Sequence, residues 1–158
     1  MKRAKATIGV ADTTFARMDM GEIAIRALRN SGENIQIIRY TVPGVKDLPV
    51  ASKKLIEEAK CDIVIACGWV GKQPIDKTCA HEASLMLIQA QLMTNAHILG
   101  AFVFEDEAKS GGELKKIVED RVGKHAINAL NLILRPEILK ANAGKGLRQG
   151  HGHAGRLK

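Results

Sequence analysis

Ile63-Val64-Ile65-Ala66-Cys67-Gly68 is the stretch that decides the fold. Five apolar residues stand in a row, three of them β-branched, and a glycine follows. A continuous run of that length, with no polar alternation, reads as a strand buried on both faces. Such strands belong to parallel sheets, whose crossover helices cover both sides. Gly68 is expected to stop it. On the N-terminal side, Leu48, Ala51, Leu55, Ile56 and Ala59 form a helical stripe. Asp47 stands where it can cap that helix, and Pro49 is tolerable only in its first turn. On the C-terminal side, a loop is expected to about residue 76, then a helix over about 77–95. That helix carries Leu85, Met86, Leu87, Ile88, Leu92 and Met93 on nearly all sides. A helix so apolar is either deeply buried or faces another subunit.

The same alternation runs to both ends. Residues 6–11 read as a buried strand bounded by Asp12-Thr13-Thr14. Met20, Ile23, Ala24, Ala27 and Leu28 then fall on one helical face, with Asp19 and Glu22 spaced as a capping box and Gly32 as a stop. Residues 35–40 make a second strand ending at the turn Thr41-Val42-Pro43-Gly44. Residues 98–104 make a fourth. A last helix, with Leu114, Ile117, Val118, Val122, Ala126, Ala129, Leu130 and Ile133 at helical spacing, should end near Arg135-Pro136. Strand and helix alternate four times, which predicts an α/β domain with a four-stranded parallel sheet, helices on both faces and right-handed crossovers. Ligands of such sheets bind beyond the carboxyl ends of the strands. Here those ends are residues 12–15, 41–47, 68–77 and 104–107.

Length and composition fit one domain, residues 1–158, with a basic tail from about residue 138. With 24 Lys and Arg against 17 Asp and Glu, the formal net charge is +7. Eight of the positives lie at the ends: Lys2, Arg3, Lys5, Lys140, Lys145, Arg148, Arg156 and Lys158. Residues 6–137 hold the other 16, balanced by all 17 acids. The aromatics are Phe15, Tyr40, Trp69, Phe102 and Phe104, too few for a single-strand stacking face. A nucleic-acid-binding module using the basic tail is therefore the weaker reading from another class, and an assembly protein without chemistry is a third. No apolar run approaches a membrane span, and MKRAKATIGV is not expected to act as a secretory signal. Three cysteines, Cys61, Cys67 and Cys79, read as reduced thiols of a cytoplasmic protein. Cys79-Ala80-His81 lacks the ligand number and spacing of a zinc site, so no metal is expected. Neither GxGxxG after the first strand nor GxxxxGK[ST] occurs, which argues against a nicotinamide or ATP enzyme.

The loops carry the chemistry. Phe15 is either a stacking surface for a flat heterocycle or a plug over the sheet. Free amides where the second loop enters its helix can hold ligand hydroxyls or carbonyls, unless the Pro-Gly turn is only a stiff connection. His81 and Glu82 are expected in the first turns of the long helix, where the helix dipole would keep an imidazole neutral and available as a base. A surface or capping role is the plainer alternative. His125 falls on the apolar stripe of the last helix, where a core or interface histidine is the default.

Val42-Pro43-Gly44-Val45-Lys46-Asp47-Leu48-Pro49, followed by Ala51-Ser52-Lys53-Lys54, resembles the segment after the second strand of lumazine synthases. Residues 68–81 resemble that family's loop and histidine after the third strand, and Phe15 its aromatic residue after the first. Gly68-Trp69-Val70-Gly71-Lys72 departs from the family's phosphate-binding loop, which runs through Arg-Gly and small hydroxyl residues. That argues against a phosphorylated sugar substrate. The chain is more similar to the archaeal type of riboflavin synthase. The marks are Asp12-Thr13-Thr14-Phe15-Ala16-Arg17, Cys79-Ala80-His81-Glu82-Ala83-Ser84, Gln91-Leu92-Met93-Thr94-Asn95, Glu105-Asp106-Glu107-Ala108-Lys109 and Ala143-Gly144-Lys145-Gly146-Leu147-Arg148-Gln149-Gly150, covering residues 6–150.

The resemblance implies a three-layer sandwich of lumazine-synthase-like, flavodoxin-like topology. It implies a homopentamer with sites between neighbours, and dismutation of two 6,7-dimethyl-8-ribityllumazine molecules. One donates a four-carbon unit to the other, giving riboflavin and 5-amino-6-(D-ribitylamino)uracil. The alternative is 6,7-dimethyl-8-ribityllumazine synthase itself. No redox cofactor is implied, and a divalent cation such as Mg is not readable. His81 is the expected proton-transfer group, with Glu82 its partner. Thr14, Phe15 and Trp69 are expected at the substrate. The backbone of Pro43, Gly44, Val45 and Gly68 is expected to bind pyrimidine or ribityl groups, Pro43 through its carbonyl only. Lys46 and Asp47 are expected to bond ribityl hydroxyls, and His125 to reach the site from an adjacent subunit. Of the basic tail, only residues 151–158 remain a candidate for a plain disordered end.

Overall fold

A computed structural model describes residues 5–157. Lys2, Arg3 and Lys158 of the charged ends lie outside them. Four parallel strands, β1 (Ala6–Thr13), β2 (Ile35–Val42), β3 (Ile63–Val70) and β4 (Ile98–Phe104), stand in the order β2-β1-β3-β4. α1 (Met20–Asn30) and α4 (Gly111–Leu134) cover one face. α2 (Leu48–Glu57) and α3 (Pro74–Thr94) cover the other, and the short α5 (Pro136–Asn142) follows α4. The expected three-layer α/β sandwich is the fold. Side chains of β3 alternate between the two layers. Ile63, Ile65 and Cys67 meet Met20, Leu28, Val118 and Leu130, while Val64 and Ala66 meet Leu48, Leu55 and Leu87. Among the described residues no helix is long and apolar enough to cross a membrane.

The strands run further than their apolar residues suggest. Asp12 and Thr13 belong to β1 rather than to a loop, and both are buried. Asp12 is tolerated inside because its carboxylate accepts hydrogen bonds from Arg39 Nε (3.2 Å), Arg39 Nη2 (2.5 Å) and Thr41 Oγ1 (2.7 Å). Parallel register supplies these partners, since Val10 pairs with Arg39 and Asp12 with Thr41. The same Arg39 Nη2 donates to Asp19 (2.7 Å), which caps α1 by accepting from the Glu22 N–H (2.9 Å). That N–H first, and then Arg39, hold the Asp19 carboxyl below the ordinary aspartate range. Gly21 leaves the room this needs: a Cβ there would lie 2.6 Å from Asp12 Oδ2 and 2.7 Å from Arg39 Nε.

Gly68 does not stop β3, which continues through it to Val70. Its neighbour across the register is Phe102, whose ring would lie 2.7 Å from a Cβ at Gly68. The glycine makes room for that ring. α3 starts at Pro74, three residues earlier than expected, with the Asp76 carboxylate accepting from the Gln73 N–H (3.0 Å). A single 3₁₀ turn, Val45–Asp47, precedes α2, and the Asp47 side chain makes no capping hydrogen bond. Pro136 ends α4 as expected but also opens α5, which was not foreseen. Residues 151–157 are exposed and form no helix or strand, but they tie back to the chain at one point. The Ala154 N–H donates to the Gly146 carbonyl (2.8 Å), and a Cβ at Gly146 would strike Gly155.

A second 3₁₀ turn, Glu105–Glu107, follows β4. Glu107 pairs side by side with the guanidinium of Arg121 on α4 (Nη1 to Oε1 2.6 Å) and accepts from the Phe104 N–H (2.9 Å). Arg121 chiefly holds the Glu107 carboxyl below its ordinary value of 4.5.

Two predictions follow from these ties. Asp12→Asn leaves Arg39 without its buried counter-ion and is expected to destabilise the fold by about 2–4 kcal/mol, read by urea unfolding. Glu107 binds protons less readily folded than unfolded, so its contribution is complete above about pH 4.5 and is lost as pH falls through the lower folded value. Melting measured from about pH 6 to about pH 3 should fall steeply in the parent and less steeply in Glu107→Gln. Parallel curves would show that this pair does not carry the acid sensitivity.

Candidate active site

The carboxyl ends of the strands open onto a cleft of about 480 Å³, within the size range of small-molecule sites. Its first wall is built where β1 and β2 end together. The Thr14 N–H donates to the Val42 carbonyl (2.9 Å) and the Phe15 N–H to the Pro43 carbonyl (3.1 Å), which sews the two loops to each other. The Phe15 ring lies over Gly44, where a Cβ would stand 3.2 Å from it. Phe15 is 74% exposed, so it is not a buried plug; it offers its ring to the cleft. Val45, Lys46 and Asp47 continue this wall. The N–H groups at the start of their turn have no acceptor within it.

Trp69, from the end of β3, is a second aromatic wall of the cleft. Its indole N–H donates to Glu105 Oε1 (2.9 Å), which also receives Arg17 Nη1 (3.3 Å). The indole bond first, then Arg17, hold the Glu105 carboxyl below its ordinary range, so it is an anion at neutral pH. Thr13 and Val70 are buried along the cleft, and Asp76 and Cys79 enter from α3. Cys61 and Cys67 do not reach it. Burial pushes the Cys61 thiol up to about 11 and the Cys67 thiol well above its ordinary value. No three His, Cys, Asp or Glu side chains converge to hold a metal ion among the described residues.

Of the residues expected at the substrate, Phe15, Gly44, Val45, Lys46, Asp47 and Trp69 line this cleft. Thr14 does not; its hydroxyl is bound to the Pro43 carbonyl (3.3 Å). That carbonyl already accepts from Thr14 and Phe15, which corrects the expectation that it is kept for a ligand. Gly68 lies inside β3 beneath Phe102 and is also outside the lining. His81 is exposed and does not line the cleft. It is the eighth residue of α3, beyond the first turn to which a helix dipole reaches, so that reason for a neutral imidazole does not hold. Glu82 is not partnered with His81 but with Lys46 (2.6 Å), an ion pair that straps the second loop to α3 and raises the Lys46 pKa. His125 sits along α4, its Nδ1 2.8 Å from the Arg121 carbonyl, and is absent from this chain's own cleft.

The lining residues missed were Thr13, Arg17, Val70, Gly71, Asp76, Cys79 and Glu105. Arg17 and Glu105 follow the ends of β1 and β4, where the topology directs attention. Their pairing spans 88 positions of sequence, which no local pattern displays.

Comparison with known proteins bears on this cleft. Residues 5–137 match the family model described as 6,7-dimethyl-8-ribityllumazine synthase. A protein named riboflavin synthase from Methanothermobacter thermautotrophicus is 54% identical over 150 residues, covering 95% of this chain and 98% of that one. Those of Archaeoglobus fulgidus and Aeropyrum pernix are 48% and 46% identical, covering 94% and 96% of this chain and 96% and 97% of their own. The sequence marks quoted above, the β2-β1-β3-β4 sheet and a match over most of the chain agree: the chain belongs to the 6,7-dimethyl-8-ribityllumazine synthase family.

Proposed function

We propose that this chain is a riboflavin synthase, a transferase of riboflavin biosynthesis that dismutates 6,7-dimethyl-8-ribityllumazine. One molecule gives up four carbons to the other; riboflavin and 5-amino-6-(D-ribitylamino)uracil leave. The observation that carries the reading is the cleft's lining, Phe15 and Trp69 together with the polar turn Val45–Asp47, in a chain whose relatives, matched over nearly their whole length, bear that name. The lumazine C7 methyl is acidic because its anion spreads into the ring system. What the protein adds is register: two flat heterocycles held face to face react as one unit. Phe15 and Trp69 supply ring contacts, Val45 and Lys46 backbone N–H groups, and Lys46 and Asp47 polar side chains for ribityl hydroxyls. No redox cofactor takes part. Dependence on a divalent cation such as Mg is read by assay with and without chelator.

The active unit in this reading is a homopentamer. His81, Leu85, Ile88 and Leu92 fall at i, i+4, i+7 and i+11 of α3, a single face. The three apolar ones are 46%, 53% and 79% exposed. Packing that face on a neighbour brings His81 to the boundary between copies, where it transfers protons for the substrate. His125 reaches a neighbour's cleft in the same way. Glu82 acts through Lys46 rather than through His81. The location is cytoplasmic, as suits three unpaired cysteines.

Incubation with ribityllumazine alone should give riboflavin fluorescence. No product, together with condensation of the phosphorylated butanone, would favour the lumazine synthase reading. His81→Ala should lower kcat by about 10²–10⁴-fold; near-parent turnover removes it from the mechanism. Sedimentation at micromolar concentration should show one species much heavier than a monomer.

A further inference from the structure

We propose that Glu105 is a positioning residue of the cleft: its carboxylate fixes the indole of Trp69 from the end of the next strand and holds Arg17 at the mouth, so the aromatic wall is set before a ligand arrives. The proposal rests on reading the cleft as a lumazine site.

Register places the two partners together. Trp69 pairs with Val103 and Val70 with Phe104 across β3 and β4, so the residue after Phe104 emerges beside the indole edge. The indole has one donor, and Glu105 takes it at 2.9 Å. Trp69 therefore brings no hydrogen bond to a ligand, only a ring of settled orientation. Arg17 spends one Nη1 donor on the same oxygen, at 3.3 Å, and its guanidinium keeps further N–H groups for carbonyl or hydroxyl oxygens.

The turn that carries Glu105 is itself immobilised. Three consecutive acids go to three different places. Glu105 binds Trp69 and Arg17, Asp106 pairs with Lys77 on α3, and Glu107 pairs with Arg121 on α4. A carboxylate on so fixed a turn can hold an aromatic wall, which one on a free loop could not. A wall already ordered need not be ordered by the ligand, so its loosening weakens binding more than the step that follows.

Trp69 is the only tryptophan of the chain, so its emission reports this contact without labels. Glu105→Ala, Glu105→Gln, Trp69→Phe and the double variant Glu105→Ala/Trp69→Phe decide the matter. In the unliganded protein, Glu105→Ala should shift the emission to the red and lower its anisotropy. Glu105→Gln keeps an acceptor for the indole and should leave the emission as in the parent. With ribityllumazine, Glu105→Ala should raise KM ~5- to 10-fold and change kcat by less than ~2-fold. Within the Trp69→Phe background the same change should cost no more than ~2-fold in KM. Parent-like emission in Glu105→Ala, or an undiminished KM effect once Trp69 is gone, would overturn the proposal. A parent protein that makes no riboflavin would instead overturn the substrate reading, and the emission measurements would still judge the role of Glu105.

Discussion

A carboxylate buried in an inner strand sets the terms for the rest of this molecule. Asp12 stands 3% exposed near the end of β1. A charge there is tolerable only if it is paired and hydrogen-bonded. Arg39 and Thr41 of β2 meet that demand, which locks the edge strand in register with the inner one, because a slip of one residue would turn Arg39 to the other face. Arg39 also holds the cap of α1 through Asp19, so strand register and helix entry are settled by one guanidinium. Its hydrogen bonds to Asp12 first, and then to Asp19, raise the Arg39 pKa against the opposing effect of burial, and keep the guanidinium charged. Thr14 and Phe15 leave β1 from a fixed point, and the first wall of the cleft inherits its position.

The second wall is held by a different device. Trp69 is half-buried against the α1 and α4 layer, and its outer edge is tied. The acids after β4 are partly exposed, and each pair alone is worth little in water. What they provide is direction, because they reach three separate elements from one turn. The strap between Lys46 and Glu82 does the same across the mouth, joining the second loop to α3. A cleft open to solvent can thus keep its shape although few of its side chains belong to the core.

The fold was largely legible because burial leaves local marks. Residues 63–67 are apolar without interruption because helices cover both faces of β3, and Asp19 caps α1 as its spacing with Glu22 announced. Errors came where a residue answers to something distant. Gly68 resembled a strand stop, but its reason is the ring of Phe102, 34 positions on, and Asp12 resembled a loop because its partner lies 27 positions away. The site was legible in its loops more than in its contacts. Phe15, Trp69 and residues 44–47 came together, while Arg17 and Glu105 were visible only once β1, β3 and β4 were set side by side. Glu82 was read with its neighbour His81, although successive helical residues point in different directions and its partner stands on the turn before α2.

The face of α3 gives the remaining step. Scattered exposed leucines need no explanation. Here Leu85, Ile88 and Leu92 form a row, with Met86 and Met93 beside it, 47% and 62% exposed, on a helix whose inward face is mostly alanine. Ala80, Ala83 and Ala90 let the helix lie close to the sheet, and the larger apolar side chains are left on the outside. A helix stabilised only by its own domain would be built the other way, with large residues inward and polar ones outward. The inversion suits a helix whose outward face packs against another copy. His81 begins that row, so in the proposed pentamer association and proton transfer would fall on one surface. On this reading an exposed imidazole and a 74% exposed Phe15 are not defects of a shallow pocket but the half of an active site that a neighbouring copy completes.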